Sequence, residues 1–376
     1  MSGSYMKRKI LVACNDPGGT MACIPVIKEL NKYPGISLSI YAGKYAKSLM
    51  VKEGMPYKSL KAQLITSGQL PLIRKILRKE EPELVLTSTS FGKVLDNAFL
   101  YSAIKGGFKT FALIDYWCNY SSRFKVYSKI RTLPDYIGIM DEFTKKEMLL
   151  EGFPANRLIV TGHPYFDSLA GNPKTVPVNR QKAFRKRYNI DAGSCIIIFA
   201  SEPFKKRDLE RMGYSDITIL KELLKALVEV RNGKSITLII KIHPRDERND
   251  SIFDINHAKG IRIITEREGK ARDFIDNADI VTGMSSIFLV EAFLLGKPTL
   301  SILINRRIPD DLITNRMRLT TPIKTYKELC TMLKRTLHGK ESPNKGPLTG
   351  KFGIIDGKSA GRAAKYIRNM LFQDKL

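Results

Sequence analysis

The chain has 376 residues, a net charge of +26 and a hydrophobic fraction of 43%. That length exceeds one ordinary core and fits two α/β domains, and the composition excludes a disordered chain. No apolar run approaches the roughly 18 residues of a membrane span.

Cysteines at 14, 23, 118, 195 and 330 have neither zinc-ligand nor redox spacing. They predict reduced thiols in the cytoplasm. Met1–Tyr5 have no signal-peptide character, and the fold is read from Met6 onward. The charge excess predicts an anionic partner. Basic residues cluster at Arg74-Lys75, Arg78-Lys79, Arg185-Lys186-Arg187, Lys205-Lys206-Arg207 and Arg306-Arg307. They lack the interleaved aromatics of an RNA-binding module. An anionic membrane face or an anionic acceptor is expected rather than a nucleic acid; a plain solvated basic surface is the simpler alternative.

Lys9–Cys14 reads as a buried strand ending in Asn15-Asp-Pro-Gly18-Gly19-Thr20. A periodic apolar helix follows from Met21 to Leu30. Gly18 and Gly19 fall short of a dinucleotide fingerprint, so a tight turn that binds nothing stands beside a sugar-contacting one. Strands are then expected at Ile36–Tyr41, Leu84–Thr87, Thr110–Ile114, Tyr136–Met140 and Leu158–Val160. Helices are expected at Lys44–Glu53, Gln69–Lys79 and Leu95–Ile104, with another after Asp141-Glu142. Such alternation predicts a parallel sheet covered on both faces. Residues 171–179, rich in Asn, Pro and Val, read as the linker between an N-terminal domain, 6–170, and a C-terminal domain, 180–358. The second series has strands at Cys195–Ala200, Ile236–Lys241, Ile261–Thr265 and around Val281. Its helices are Ile217–Val230 and Tyr326–Leu337. Ser342–Lys351 reads as a loop and Ala360–Phe372 as a terminal amphipathic helix.

In doubly wound sheets ligands bind beyond the carboxyl ends of the strands. There the second half places Ser201-Glu202, then Lys241-Ile-His243-Pro-Arg245, then Ser285-Ser286 on a helix start. Cations and hydroxyls facing free helix N–H groups make a phosphate site in outline. His243, neutral or cationic, joins Lys241 and Arg245 as a phosphate donor. Glu291, two turns into the helix, is placed to accept from ribose hydroxyls. The simpler reading makes the serines an N-cap.

The order His-Pro after a strand, then Ser-Ser opening a helix that ends Glu291-Ala-x-x-x-Gly296-Lys-Pro, resembles the nucleotide-binding domain of GT-B enzymes. It is similar to bacterial sialyltransferases with HP and SS motifs and to CDP-glycerol glycerophosphotransferases. In those families the histidine and serines hold donor phosphate, which implies His243, Ser285 and Ser286 here. A second resemblance is to UDP-N-acetylglucosamine 2-epimerases and related nucleotide-sugar hydrolases. They share Glu-Gly-x-x-x-x-Arg-Ile-x-x-Thr-Gly-Asn-x-x-x-Asp; this chain has Glu151-Gly-Phe-Pro-Ala-Asn-Arg157-Leu-Ile-Val-Thr-Gly-His163-Pro-Tyr-Phe-Asp167. His163 replaces their Asn, and Gly283-Met-Ser-Ser286 replaces their Ser-Gly-Gly. The acidic Asp/Glu-Asp/Glu-Gly motif of the sialyltransferases is missing too.

The resemblance implies a GT-B fold, two Rossmann-like domains facing each other across a cleft, with a terminal helix, 359–376, bracing the first domain. It implies a nucleotide-sugar donor of UDP, CDP or CMP type, and transfer of a sugar or polyol phosphate to an anionic or lipid-linked glycan acceptor. Cell-surface polysaccharide or glycolipid synthesis at the inner face of a membrane is the expected setting. The alternative is a UDP-N-acetylglucosamine 2-epimerase or nucleotide-sugar hydrolase. A nucleic-acid-binding protein rests on the charge alone. Inverting transfer needs a base, and Asp115, at the end of the Phe111–Ile114 strand, is the candidate; Asp141-Glu142 is a weaker one. His163 is a second catalytic candidate. Asn15, Gly18, Gly19, Tyr116, Asn119, Tyr120 and Arg123 are the sugar or acceptor candidates, with Trp117 beside them as a stacking surface. An ion pair of Asp115 with Arg123, and plain packing of the aromatics, are the simpler alternatives. No cofactor and no metal are expected, since no DxD motif occurs.

Overall fold

A computed structural model describes residues 7–61, 65–170, 176–204, 206–249, 253, 260–339, 344 and 355–372. The Ser342–Lys351 loop, apart from Asn344, and residues 171–175 of the expected linker lie outside the described residues. The chain divides into two compact units, Met1–Gly171 with Phe352–Leu376, and Asn172–Lys351.

The first unit holds strands β1 (Arg8–Cys14), β2 (Ile36–Ala42), β3 (Leu84–Thr87), β4 (Lys109–Leu113), β5 (Tyr136–Ile139) and β6 (Leu158–Val160). They form one parallel sheet in the order β2-β1-β3-β4-β5-β6. Side chains alternate across it as a strand period of two requires. Ile10, Val12 and Cys14 enter one apolar layer with the Pro17–Asn31 helix and the terminal Ser359–Phe372 helix. Leu11 and Ala13 enter the other, with the Leu70–Glu80 and Leu95–Lys105 helices.

The terminal helix is fastened by the segment that resembles the epimerases. Asp167 accepts the backbone N–H groups of Ser359 and Ala360 at 2.9 and 2.7 Å, satisfying two orphan donors of the helix start. Arg362 donates to the Thr161 carbonyl at 2.8 Å. Arg157 reaches the carbonyls of Leu133 and Pro134, and Glu151 accepts from Ser121. These polar residues of the shared segment all bond to the protein itself.

The second unit holds β7 (Cys195–Ala200), β8 (Ile236–Lys241), β9 (Ile261–Glu266), β10 (Ile280–Gly283), β11 (Thr299–Ile302) and β12 (Pro322–Ile323). The parallel order is β12-β11-β10-β7-β8-β9. Counted within the unit this is 6-5-4-1-2-3, the Rossmann order, and its switch point lies between β7 and β10. One face of this sheet packs on the Asp216–Val230 and Tyr326–Leu337 helices. The Val178–Arg187 helix takes in Val178 and Asn179, the last two positions of the expected linker. One expectation about local structure is corrected. The first helix begins at Pro17 rather than Met21, because proline's fixed φ suits a first helical turn. Gly18 and Gly19 therefore sit inside that turn.

Candidate functional site

Ser201-Glu202 follow β7 and Met284–Ser286 follow β10, so both segments leave the sheet at the switch point. One chain of hydrogen bonds joins them. Ser201 Oγ accepts the His243 backbone N–H at 3.0 Å. Glu202 Oε1 accepts the Ser285 backbone N–H at 2.6 Å. Ser285 Oγ accepts from the Arg306 guanidinium at 2.8 Å, which also donates to the Tyr214 hydroxyl at 2.7 Å. Ser286 is the N-cap of the Ile287–Leu294 helix, its Oγ accepting the Phe288 N–H at 3.2 Å.

The protonation state of His243 follows from its surroundings. Nδ1 accepts the Arg245 backbone N–H at 3.0 Å. Burial, reinforced by the charges of Arg245 and Lys241, pushes its pKa down to about 3. The ring is thus neutral with its proton on Nε2, and Nε2 has no partner among the described residues. It is a fixed, uncharged donor. Burial acts on Glu202 in the opposite sense and pushes its carboxyl up to about 7. The Ser285 N–H and Arg306 oppose that shift; Asp311 and Asp216 add to it.

The expected cation set changes. Lys241 is buried, its ammonium donating to the Arg267 carbonyl at 2.6 Å and lying 5.3 Å from the Phe274 ring centre. A lysine extended that way is committed to packing. The cation that meets the helix start is Arg306, which leaves the carboxyl end of β11. Its remaining N–H groups hold Asp311 at 2.6 Å and the carbonyls of Ile308 and Pro309. Nothing in the Arg306-Arg307 dipeptide distinguished it from other basic clusters, because its partners Ser285 and Tyr214 are distant in sequence. Glu291 is only 2% exposed, so its placement does not support the expected contact with a ribose hydroxyl. Behind Glu202, Arg248 pairs with Asp216 at 2.5 Å and Asp246 at 2.6 Å and donates to the Glu202 carbonyl. This brace was not visible in the sequence.

In the first unit, the carboxyl ends of β1, β3 and β4 carry Asn15-Asp16, Ser88–Ser90 and Asp115. Asp115 Oδ1 pairs with Arg123 at 2.7 Å. Arg123 is buried and also donates to the carbonyl and hydroxyl of Thr89. Arg123 therefore positions Asp115 and is not itself a surface for an acceptor. Asp115 Oδ2 faces the first turn of the Pro17–Asn31 helix; a Cβ on Gly18 would lie 2.5 Å from it. A Cβ on Gly19 would lie 2.6 Å from Ser88 Cβ. The two glycines allow close packing, which replaces their expected contact with a sugar.

Tyr120 and Trp117 are core residues. The Tyr120 hydroxyl donates to Glu147 at 2.8 Å and the Trp117 indole N–H donates to Asp141 at 2.7 Å. Neither presents a face to a sugar. Asp141 is also the N-cap of the Glu142–Leu150 helix, which removes it as a base. His163 is buried, stacked on Phe166 at 4.3 Å, with Nε2 at 3.0 Å from the Asp115 carbonyl. Nε2–H therefore donates and Nδ1 has no partner. Burial holds its pKa below the usual histidine range. That placement makes His163 a support for the backbone of Asp115 instead of an acid or base. Asn15 is buried, donating to Asp16 at 2.9 Å. Tyr116 is half-buried and Asn119, in the left-handed region at φ 59°, is exposed. These last two stay within reach of solvent.

No protein-family model matches the chain, and no curated protein matches it. Solved structures do. UDP-GlcNAc 2-epimerase from Neisseria meningitidis, bound to UDP-GlcNAc, is 16% identical with a TM-score of 0.70, covering 97% of this chain and 100% of that one. UDP-GlcNAc 2-epimerase from Methanocaldococcus jannaschii is 19% identical with a TM-score of 0.67, covering 96% and 99%. A glycosyltransferase from Rickettsia africae is 14% identical with a TM-score of 0.60, covering 98% and 95%. With two parallel six-stranded sheets and a likeness spanning nearly all of each chain, the protein has the GT-B fold.

Proposed function

We propose that the second unit binds the phosphates of a nucleotide-activated donor at its switch point, and that the protein transfers the activated sugar or polyol phosphate to a glycan acceptor at an anionic membrane face. The observation that carries this reading is the neutral His243. Its backbone N–H is held by Ser201, whose neighbour Glu202 holds the Ser285 N–H, and Ser285 in turn accepts from the cation Arg306. Such a set aims a neutral donor at phosphate oxygens beside helix N–H groups, with the positive charge of Arg306 held behind Ser285. Asp115 serves as the proton acceptor, with Oδ1 held by Arg123 and Oδ2 beside the first turn of the Pro17–Asn31 helix. Replacing His243 with Ala tests the phosphate assignment: affinity for UDP, CDP or CMP, read by calorimetry, falls about ten-fold, the value of one good hydrogen bond. Unchanged affinity overturns it.

A second reading, epimerisation or hydrolysis of a nucleotide sugar, is favoured by the several UDP-GlcNAc 2-epimerases among the structures similar to this chain. Ser285 and Ser286 in place of a glycine pair favour transfer. Incubation with UDP-GlcNAc alone separates the two: the transfer reading expects the substrate to persist, and rapid release of free sugar or epimer supports the second.

A further inference from the structure

Of the large apolar side chains exposed among the described residues, Leu150 at 89% and Ile130 at 79% are the most exposed. They come from different elements, yet one residue fastens those elements together. Arg131, next to Ile130, donates to the Glu151 and Gly152 carbonyls at 2.8 and 2.9 Å, just past Leu150. Its guanidinium lies 4.4 Å from the Phe153 ring centre. The loop itself is closed by the Thr132 N–H donating to the Phe124 carbonyl at 2.9 Å. Ile130 and Leu150 therefore belong to one braced corner of the first unit.

Positive charge is in excess at this corner. Lys125, Lys129 and Lys146 are exposed. The stretch from Tyr120 to Pro134 contains no acidic residue. The neighbouring carboxylates are engaged by the protein: half-buried Glu147 accepts from the Tyr120 hydroxyl, and Glu151, although exposed, accepts from Ser121. Exposed leucine and isoleucine with a lysine rim match the chemistry of an anionic bilayer, apolar beneath and negative at its surface. A nucleic acid would use the lysines and leave the two apolar side chains without a contact. Among the described residues no helix is long and apolar enough to cross a membrane, so contact at this corner is peripheral.

We propose that the corner formed by the 124–132 loop and the end of the Glu142–Leu150 helix docks on an anionic lipid surface, with Ile130 and Leu150 entering the headgroup layer. This gives the membrane contact of the proposed function a location, although vesicle binding stands or falls separately from nucleotide binding.

Co-sedimentation of the full chain with vesicles tests it. Binding to phosphatidylglycerol–phosphatidylcholine vesicles exceeds binding to phosphatidylcholine alone by about ten-fold or more, since each lysine near an anionic surface is worth roughly five-fold. Ile130→Asp with Leu150→Asp lowers that binding about ten-fold or more through lost apolar burial and added repulsion. Ile130→Ser with Leu150→Ser, which adds no charge, lowers it as well, and the UDP-induced thermal shift is unchanged in both. Absence of vesicle binding overturns the proposal. So does a serine variant that binds vesicles like the wild type, because the attraction is then that of any polyanion. Loss of nucleotide binding alone counts against the proposed function and leaves the docking corner standing.

Discussion

The carboxylate of Glu202 sits on the backbone N–H of Ser285, 2.6 Å away, at the start of the Ile287–Leu294 helix. It occupies a place where a phosphate oxygen would be stabilised, and the carboxyl is pushed up to about 7 by burial. In the proposed phosphate site, protonation of this one side chain would therefore set the charge that a phosphate meets.

From this follows a pH dependence of stability. Glu202 is raised above the ordinary value of 4.5, so between that value and about 7 the folded chain keeps a proton that the unfolded chain releases. Stability then falls as pH rises through the window. Glu202→Gln removes the titration and keeps an oxygen for the Ser285 N–H. The variant and wild type melt alike near pH 4, and the variant melts higher near pH 8. A wild-type advantage at high pH would contradict the assignment.

The neutral state of His243 predicts a different profile. Its pKa, pushed down to about 3, leaves no histidine titration near neutrality at the site. In Glu202→Gln, UDP affinity measured by calorimetry stays flat within about two-fold once phosphate ionisation above roughly pH 6.5 is complete. A ten-fold loss with a midpoint near 7 would mean that a charged histidine binds the phosphate.

Arg306 supplies geometry as well as charge. Its guanidinium reaches Ser285, Tyr214 and Asp311 together, which an ammonium does not reproduce. Arg306→Lys is expected to lower UDP affinity about ten-fold and stability by about 1.5–3 kcal/mol, the range for hydrogen bonds to a charged group. Calorimetry and urea unfolding measure the two losses, and wild-type values in both would remove Arg306 from the site.

Asp167 caps the terminal helix with both carboxylate oxygens. Asp167→Ala is expected to cost about 1–2 kcal/mol. The loss should concentrate in Ser359–Phe372, where hydrogen exchange becomes faster than in β1. Uniform protection throughout the first unit would show that apolar packing alone holds the helix.

Gly19→Ala places a methyl 2.6 Å from Ser88 Cβ. Overpacking of that kind costs about 1–3 kcal/mol, and chemical denaturation reads it directly. A variant as stable as the wild type would show that the helix start can shift without loss.

The strands were legible because a buried parallel strand is a short apolar run with breakers at its ends. Leu84–Thr87, Leu158–Val160 and Cys195–Ala200 are read from residue type alone and form where they are read. The start of the first helix was misread because Gly18 and Gly19 look like turn residues until the nearby Asp115 and Ser88 explain them. The order His243, then Ser285-Ser286, was visible as a pattern of strand ends. The sequence by itself determined two parallel α/β layers and the strand ends that carry polar groups. Only tertiary structure decided which groups meet. Glu202 and Ser285 lie 83 positions apart, and Arg306 and Tyr214 lie 92 apart; no local spacing encodes such contacts. Burial likewise depends on every neighbour at once, and it is burial that keeps His243 neutral and lifts Glu202 toward neutrality.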